Sequence, residues 1–343
     1  MRTQALRLAG LLALAVGCTQ DPPPLTDDTE LRCPVNGLLP FRTKGDFEHD
    51  QNYDLVREKK RSKDEASDTI GNPNGPYASI YIAPGQAPTS APVRYRGAKQ
   101  RTRVTGGLFA TPIQDERVSL WTYDGAAWLE LAATRTAEDG TYELPDTGFV
   151  AENAHPIYSM LDADGTCAEH FTFLYPRGSK IVVTDIDGTL TLDDMQLLNQ
   201  IPDEAYVPKL MGAADKLAQA WAMKGYPIIY LTARPHVFRP ETRVWLRDLG
   251  FPPGALITAA DVGDAAPYKK EWVVRMLQTF GWTVVAAYGN ADTDITAYEE
   301  GGIPKNLTFI AGPLAGMRGT VAIENMDYSA HISTFVSAQP ENR

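Results

Sequence analysis

Ten residues, Ile181 to Leu190 (IVVTDIDGTL), constrain this chain more than any other stretch. Four apolar or β-branched residues run straight into two acids two positions apart and then a glycine, so a buried strand ends where Asp185 and Asp187 stand. Side chains two apart on an extended chain project to the same side. Gly188 lets the backbone bend away at that point. Two carboxylates placed this way suit hard Mg²⁺, which takes oxygen ligands octahedrally and keeps several waters, leaving a position for a phosphate oxygen. Repulsion between such close acids raises one pKa while a metal-bound one stays ionised. The pair thus divides into nucleophile and acid. The plainer reading is a strand-end turn, where Asp and Gly are common; the residues further along the chain decide for chemistry.

After Gly178 strands alternate with helices. Leu210, Ala213, Ala214, Leu217 and Trp221 share one helical face, and Gly225 stands where a C-terminal cap belongs. Pro227 to Leu231 (PIIYL) is a buried strand. Helices are expected over Glu241 to Asp248 and Lys269 to Phe280, and strands over Ala255 to Thr258, Val284 to Tyr288 and Leu307 to Ala311. Such alternation specifies a mostly parallel sheet with helices on both faces, whose ligands sit beyond the carboxyl ends of the strands. The other chemically loaded residues fall at those ends. Leu231-Thr232-Ala233-Arg234 offers a hydroxyl, and amides near a helix start, to phosphoryl oxygens. Lys269 or Lys270 opens a helix, and Gly289 to Asp294 (GNADTD) supplies further oxygen ligands.

DIDGT, LTAR, the lysine and GNADTD, in this order, resemble the four motifs of the haloacid dehalogenase (HAD) superfamily of phosphohydrolases. More narrowly, YLTARP, the stretch ending in Tyr268-Lys269, GNADTD followed by Ala297-Tyr298, and Gly302 to Asn306 (GIPKN) are similar to the lipin-type phosphatidate phosphatase domain, which also closes Nir-type phosphatidylinositol-transfer proteins. The resemblance covers about Ser179 to Pro313. It implies a HAD-like Rossmannoid fold and an aspartyl-phosphate mechanism on phosphatidic acid. Asp185 would attack phosphorus, and Asp187 would protonate the leaving oxygen, then activate water. Thr232 would orient the phosphoryl group and Lys269, preferred over Lys270 because it follows an aromatic residue, would stabilise it. Gly188, Thr189, Ala233 and Arg234 would complete the phosphate-binding set. Mg²⁺ would lie on Asp185, the carbonyl of Asp187 and Asn290, with Asp294 as ligand or behind one. Many superfamily members carry aspartate where this chain has Asn290; lipins share the asparagine. Two other functions stay open: a non-catalytic phosphatidic-acid binding module, and a phosphatase for a soluble phosphomonoester.

About forty residues separate Thr189 from Leu231, and a similar gap separates Thr232 from Lys269, so neither holds a large cap. An uncapped site is open to membrane-embedded substrates.

Preceding this region, from about Ala91 to Pro176, β-branched and aromatic residues alternate with polar ones, and Asp124-Gly125, Asp139-Gly140 and Asp164-Gly165 punctuate them as hairpin-type turns. A sandwich of the immunoglobulin or transthyretin type is expected, with Trp121 and Trp128 as core aromatics. At the start, Arg2 and Arg7 precede an apolar run from Leu8 to Val16, too short to span a bilayer but suited to an export signal. Leu14 to Cys18 (LAVGC) resembles a bacterial lipobox, which implies cleavage before Cys18, lipid attachment to it, and a lipid-anchored place in the cell envelope, facing the periplasm or on the outer membrane. In that oxidising compartment Cys33 and Cys167 are expected to pair. The organisation expected is a signal peptide over 1–17, a proline-rich tether over 18–32, a β domain over 33–176 and the phosphatase domain over 177–343. The net charge of −11, with no basic stripe, excludes a nucleic-acid partner.

Overall fold

The structure, a computed structural model, describes residues 62–81, 86–88, 93–101, 111–123, 128–144, 152–162, 166–200, 206–259 and 265–342. The expectations for the signal peptide, the tether, Cys18 and Cys33 lie outside the described residues.

A six-stranded parallel sheet carries the second half of the chain. Its strands are β1 (Lys180–Thr184), β2 (Ile228–Pro235), β3 (Ala255–Ala259), β4 (Thr283–Gly289), β5 (Thr308–Ile310) and β6 (Val321–Ala322). They lie in the order β3-β2-β1-β4-β5-β6. Successive strands move outward from β1 on one side, then the chain returns to start again on its other side. The switch therefore falls between β1 and β4, where open sheets of this winding leave a crevice. The helices are α1 (Met195–Gln200), α2 (Ala214–Met223), α3 (Arg239–Asp248), α4 (Ala265–Val274) and α5 (Asp292–Gly301).

Both faces are covered, which is why the strands read as unbroken apolar runs. Val182, Ile228, Tyr230 and Leu256 point to the face packed by Leu217 and Trp221 of α2 and Trp245 of α3. Ile181, Val183, Ile229, Leu231 and Ile257 point to the opposite face, against Trp272 and Val273 of α4 and Tyr298 of α5. The two-residue period of the strands alone sorts these side chains. Truncating Trp221, fully buried, to alanine would cost on the order of 3–5 kcal/mol.

The cap expected at Gly225 is present. Gly225 has φ +83°, its N–H donates to Ala222 O at 2.8 Å, and Tyr226 N donates to Trp221 O at 3.2 Å. The rings of Tyr226 and Trp221 then meet at 4.9 Å, so the turn that ends α2 also packs its last residues. Helix α4 begins four residues ahead of Lys269, since Pro267 is tolerated in a first turn, and passes into a π-helical turn over Arg275–Thr279.

In the first half the regular elements among the described residues are all strands. Its described strands fall into three sheets: Ser62–Ala66, Arg96–Arg101, Thr111–Pro112 and Thr141–Glu143; Arg117–Tyr123, Trp128–Arg135, Ile157–Leu161 and Cys167–His170; and Thr69–Gly71, Tyr77–Ser79 and Thr172–Leu174. Asp139-Gly140 does make a turn, with Gly140 at φ +77° and Thr141 N donating to Asp139 Oδ1 at 2.9 Å. It is not a hairpin: Thr141–Glu143 pairs with Arg96–Ala98 of another sheet rather than with the strand before the turn. The Asp124-Gly125 and Asp164-Gly165 turns lie outside the described residues. Trp121 packs with Tyr158, Met160 and Trp128 as a core aromatic. Cys167 is disulfide-bonded.

The smallest sheet shares a core with α4, through Ile70, Ala78, Ile80 and Phe173. Beside it the fully buried Asp68 accepts from Leu256 N at 2.7 Å and Arg243 Nη2 at 2.6 Å, and meets Arg239 Nη2 at 2.5 Å. A buried carboxylate is tolerated only when compensated in this way. Among the described residues no helix is long and apolar enough to cross a membrane.

Candidate active site

Strand β1 ends in the expected turn. Asp185 N still donates to Tyr288 O of β4 at 3.0 Å, which places the Asp185 carboxylate at the switch point. Ile186 O then accepts from the amides of Thr189, Leu190 and Thr191 at 3.2, 2.8 and 3.0 Å, closing a tight loop. Gly188 is required there twice over. Its φ is +65°, and a Cβ would stand 2.1 Å from Asn290 Nδ2 and 2.6 Å from Asp194 Oδ1.

Lys269 stands at the centre of the arrangement. Helix α4 aims its buried ammonium between two acids, donating to Asp185 Oδ1 at 2.7 Å and to Asp294 Oδ1 at 2.6 Å. Its neighbour Lys270 points outward to the exposed Glu300 at 2.8 Å. Lys269 is thus the lysine that reaches the aspartates. Burial pushes Asp185 up to about 7, Lys269 opposing and the carboxylates of Asp294 and Asp187 adding to the rise. Burial alone would push the Lys269 ammonium down, but Asp185 and Asp294 hold it above the ordinary lysine value.

Asp294 is committed on both oxygens. Oδ1 meets Lys269, and Oδ2 accepts from the amides of Asn290 and Ala291, each at 3.1 Å, tying the loop after β4 to the start of α5. Both of its oxygens are thus engaged within the protein. Asn290 Oδ1 and Asp185 Oδ2, in contrast, both lie near one hydroxyl, Thr189 Oγ1, at 3.2 and 3.4 Å. A hydroxyl has one proton to donate, so acceptor oxygens outnumber donors at this spot. Such an excess suits a hard divalent cation that keeps several waters. Among the described residues no group of three or more His, Cys, Asp or Glu side chains forms a closed metal cage.

Thr232, Ala233 and Arg234 lie at the carboxyl end of β2, beside β1. They stand near a helix start, as expected, but still within the strand. The strand continues to Pro235, whose partner is Ala259 of β3, and a 3-10 turn over His236–Phe238 then leads into α3 at Arg239. Thr232 Oγ1 accepts from Arg234 N at 3.2 Å. Arg234 is occupied otherwise than expected: its buried guanidinium forks onto Asp187, Nε to Oδ2 at 2.8 Å and Nη2 to Oδ1 at 2.7 Å, with Nη1 on Thr242 Oγ1 at 2.9 Å. It holds an acid rather than presenting itself to a phosphate.

Sequence reasoning missed two residues. Asp194 Oδ1 accepts from Asn290 Nδ2 at 3.0 Å, which orients that amide so that Oδ1 faces the hydroxyl of Thr189. Tyr328 OH donates to Thr189 O at 3.0 Å from near the chain's end. The acidic pair Asp193-Asp194 was a signal for the first; nothing local marked the second. In total four carboxylates, Asp185, Asp187, Asp194 and Asp294, face two cations, Lys269 and Arg234. A phosphate dianion meets net negative charge here unless a cation accompanies it.

Comparison with known proteins agrees on this region. Residues 182–312 match the family model described as "PITM 1-3, LNS2 domain", which is lipin-like and has a HAD-like phosphatase fold. The Drosophila melanogaster protein retinal degeneration B is 26% identical over 211 residues, 60% of this chain and 16% of that protein. The human membrane-associated phosphatidylinositol transfer protein 3 is 27% identical over 210 residues, 60% of this chain and 21% of that protein, and its mouse counterpart 28% over 188 residues, 54% and 18%. The chain spans about a fifth of the length of these relatives.

Proposed function

We propose that this site belongs to a Mg²⁺-dependent phosphomonoester hydrolase that converts phosphatidic acid to diacylglycerol through an aspartyl-phosphate. The observation that carries the reading is the buried Lys269 bridging Asp185 and Asp294 at the switch point of a parallel sheet. A structural lysine at so buried a place needs one counter-ion; this one has two, and both belong to the resembled motifs.

In the proposed reaction an oxygen of Asp185 attacks phosphorus, the ester P–O bond breaks, and Asp187 delivers a proton to the departing alkoxide. Asp187 then takes a proton from water, whose oxygen attacks the phosphoryl group and releases inorganic phosphate, restoring Asp185. Lys269 meets charge that develops on the phosphoryl oxygens. Bound Mg²⁺ would supply Lewis-acid stabilisation of that charge. Asp185, the Asp187 carbonyl and Asn290 would hold it; Asp194 and Asp294 orient these ligands. Arg234 fixes the carboxylate of Asp187.

The names of the relatives, phosphatidylinositol transfer proteins that are membrane-associated, favour a phospholipid over a sugar or nucleotide phosphate. They equally favour a second reading, a module that binds phosphatidic acid without turnover. Attachment through Cys18 at the cell envelope would hold either activity at a bilayer, where confinement raises the effective concentration of lipid. The deciding experiment measures phosphate release from dihexanoyl phosphatidic acid, from sugar and nucleotide monoesters, and in an Asp185→Asn variant, all with Mg²⁺. Release from the lipid that vanishes in the variant supports hydrolysis; lipid binding without release in the parent protein establishes the binding module, and faster release from soluble esters removes the lipid assignment.

A further inference from the structure

The excursion between β1 and α2 is built inside out. Four of the eight large apolar residues that stand exposed among the described residues lie on it: Leu192 (38%), Met195 (55%), Leu198 (50%) and Val207 (64%). The buried positions of α1 itself are polar. Gln196 and Gln200, one turn apart on α1, are 4% and 9% exposed, while Met195 and Leu198 face outward. A helix on a water-facing surface shows the reverse order.

The inversion is held in place by hydrogen bonds. Gln196 Oε1 accepts from Tyr206 OH at 2.7 Å and Lys209 N at 2.8 Å, and its Nε2 donates to Asp193 Oδ1 at 3.1 Å. At the base Leu192 N donates to Lys209 O at 2.8 Å and Met211 N to Leu190 O at 2.9 Å. Replacing Gln196 by an apolar residue would strand these partners, so the polar interior is what fixes the outward set of Met195 and Leu198. The same segment ends on the active site: Asp194, one residue before Met195, accepts from Asn290. An apolar surface therefore adjoins a hollow whose nucleophile is only 4% exposed.

We infer that this face enters the acyl region of a bilayer and so brings the hollow down to a lipid headgroup. The inference rests on the reading of the hollow as a lipid-phosphate site, and it adds how that site meets its substrate. Charge identifies the manner of docking. From Thr191 to Leu210 a single basic residue, Lys209, is outnumbered by four acids, Asp193, Asp194, Asp203 and Glu204, and the chain carries −11 overall. The net negative charge of this stretch repels anionic headgroups, which leaves insertion of the four apolar side chains as the means of contact. Docking by insertion is insensitive to salt and does not need an anionic surface.

The test uses the full chain carrying Cys18→Ser, so that no acyl chain contributes, and sediments it with vesicles of phosphatidylcholine alone and with a minor share of phosphatidic acid. The expected result is binding to both at low and high salt, with about a tenfold or greater loss of vesicle affinity in the doubly substituted Met195→Ser, Leu198→Ser protein. Because both side chains are exposed, that protein should keep the parent's melting temperature and its phosphate release from dihexanoyl phosphatidic acid, which is dispersed in water. Equal sedimentation of the two proteins overturns the inference. So does a parent that ignores vesicles and elutes as a dimer which the substitutions dissociate, since the occupant would then be a second copy of the chain. Vesicle binding lost in the variant while the parent releases no phosphate leaves the docking face standing and removes the catalytic reading alone.

Discussion

Arg234 reaches forty-seven residues back along the chain to hold both carboxylate oxygens of Asp187, at 2.8 and 2.7 Å. The third arm of the guanidinium rests on Thr242, whose hydroxyl donates to Phe238 O at 2.6 Å. The proposed acid and base of the site is therefore set from β2 and braced by α3. Replacing Arg234 by lysine keeps the charge and loses the fork. The expected outcome is a fall in kcat of about tenfold to a hundredfold with KM little changed, read from initial rates on dihexanoyl phosphatidic acid. Equal loss in KM would place Arg234 on the substrate instead.

Lys269 compensates two buried carboxylates at once. Lys269→Met should lower stability by about 3–5 kcal/mol, because it leaves uncompensated buried charge, and should abolish turnover. Adding Asp294→Asn to it removes one of the stranded charges and should restore part of the stability without restoring activity. Urea denaturation of the single and double variants checks both statements.

Asp194 is exposed and accepts from the amide of Asn290, one of the residues proposed to hold Mg²⁺. Asp194→Ala should weaken Mg²⁺ binding by about tenfold to a hundredfold, as removal of a partner that orients a ligand does, and leave the melting temperature of the metal-free protein unchanged. Calorimetric titration with Mg²⁺ provides the measurement. Unchanged affinity would remove Asp194 from the site.

Acid should destabilise the fold through two histidines remote from the nucleophile. Burial pushes His170 down to about 3 and His236 likewise to about 3. Both are neutral in folded and unfolded chains above the ordinary histidine value near 6.5, so they contribute no pH dependence there. Below it the unfolded chain takes up protons that the folded one refuses, and stability falls as pH drops, by about 2 kcal/mol per histidine at pH 5. Denaturation midpoints that decline from pH 7 to pH 5, with a shallower decline in a His170→Gln variant, are the expected result.

Much of the α/β half was legible in the sequence because its signals are local. A run such as IVVT declares a strand buried on both sides, Gly225 declares where α2 stops, and DIDGT declares a strand end with two acids. These come from steric limits and hydrophobic period within a few residues, and the sheet keeps all three. Less was legible where the decision lay elsewhere in the chain. LTAR stands near a helix start, as it reads, yet pairing of Pro235 with Ala259 keeps it in the strand until the turn at His236. Asp139-Gly140 reads as a hairpin, yet the following strand joins another sheet.

By itself, then, the sequence determined the alternation of strands and helices, the position of Asp185 at a strand end and the set of polar residues to be gathered there. Tertiary structure alone decided the contacts: Lys269 on Asp185, Asp187 for Arg234, Asp194 for Asn290 and Tyr328 for Thr189. Each joins groups forty-seven or more residues apart, and which of them meet depends on the order of strands in the sheet. That order is set by the total burial of both faces, a property of the whole core that no short stretch of residues encodes.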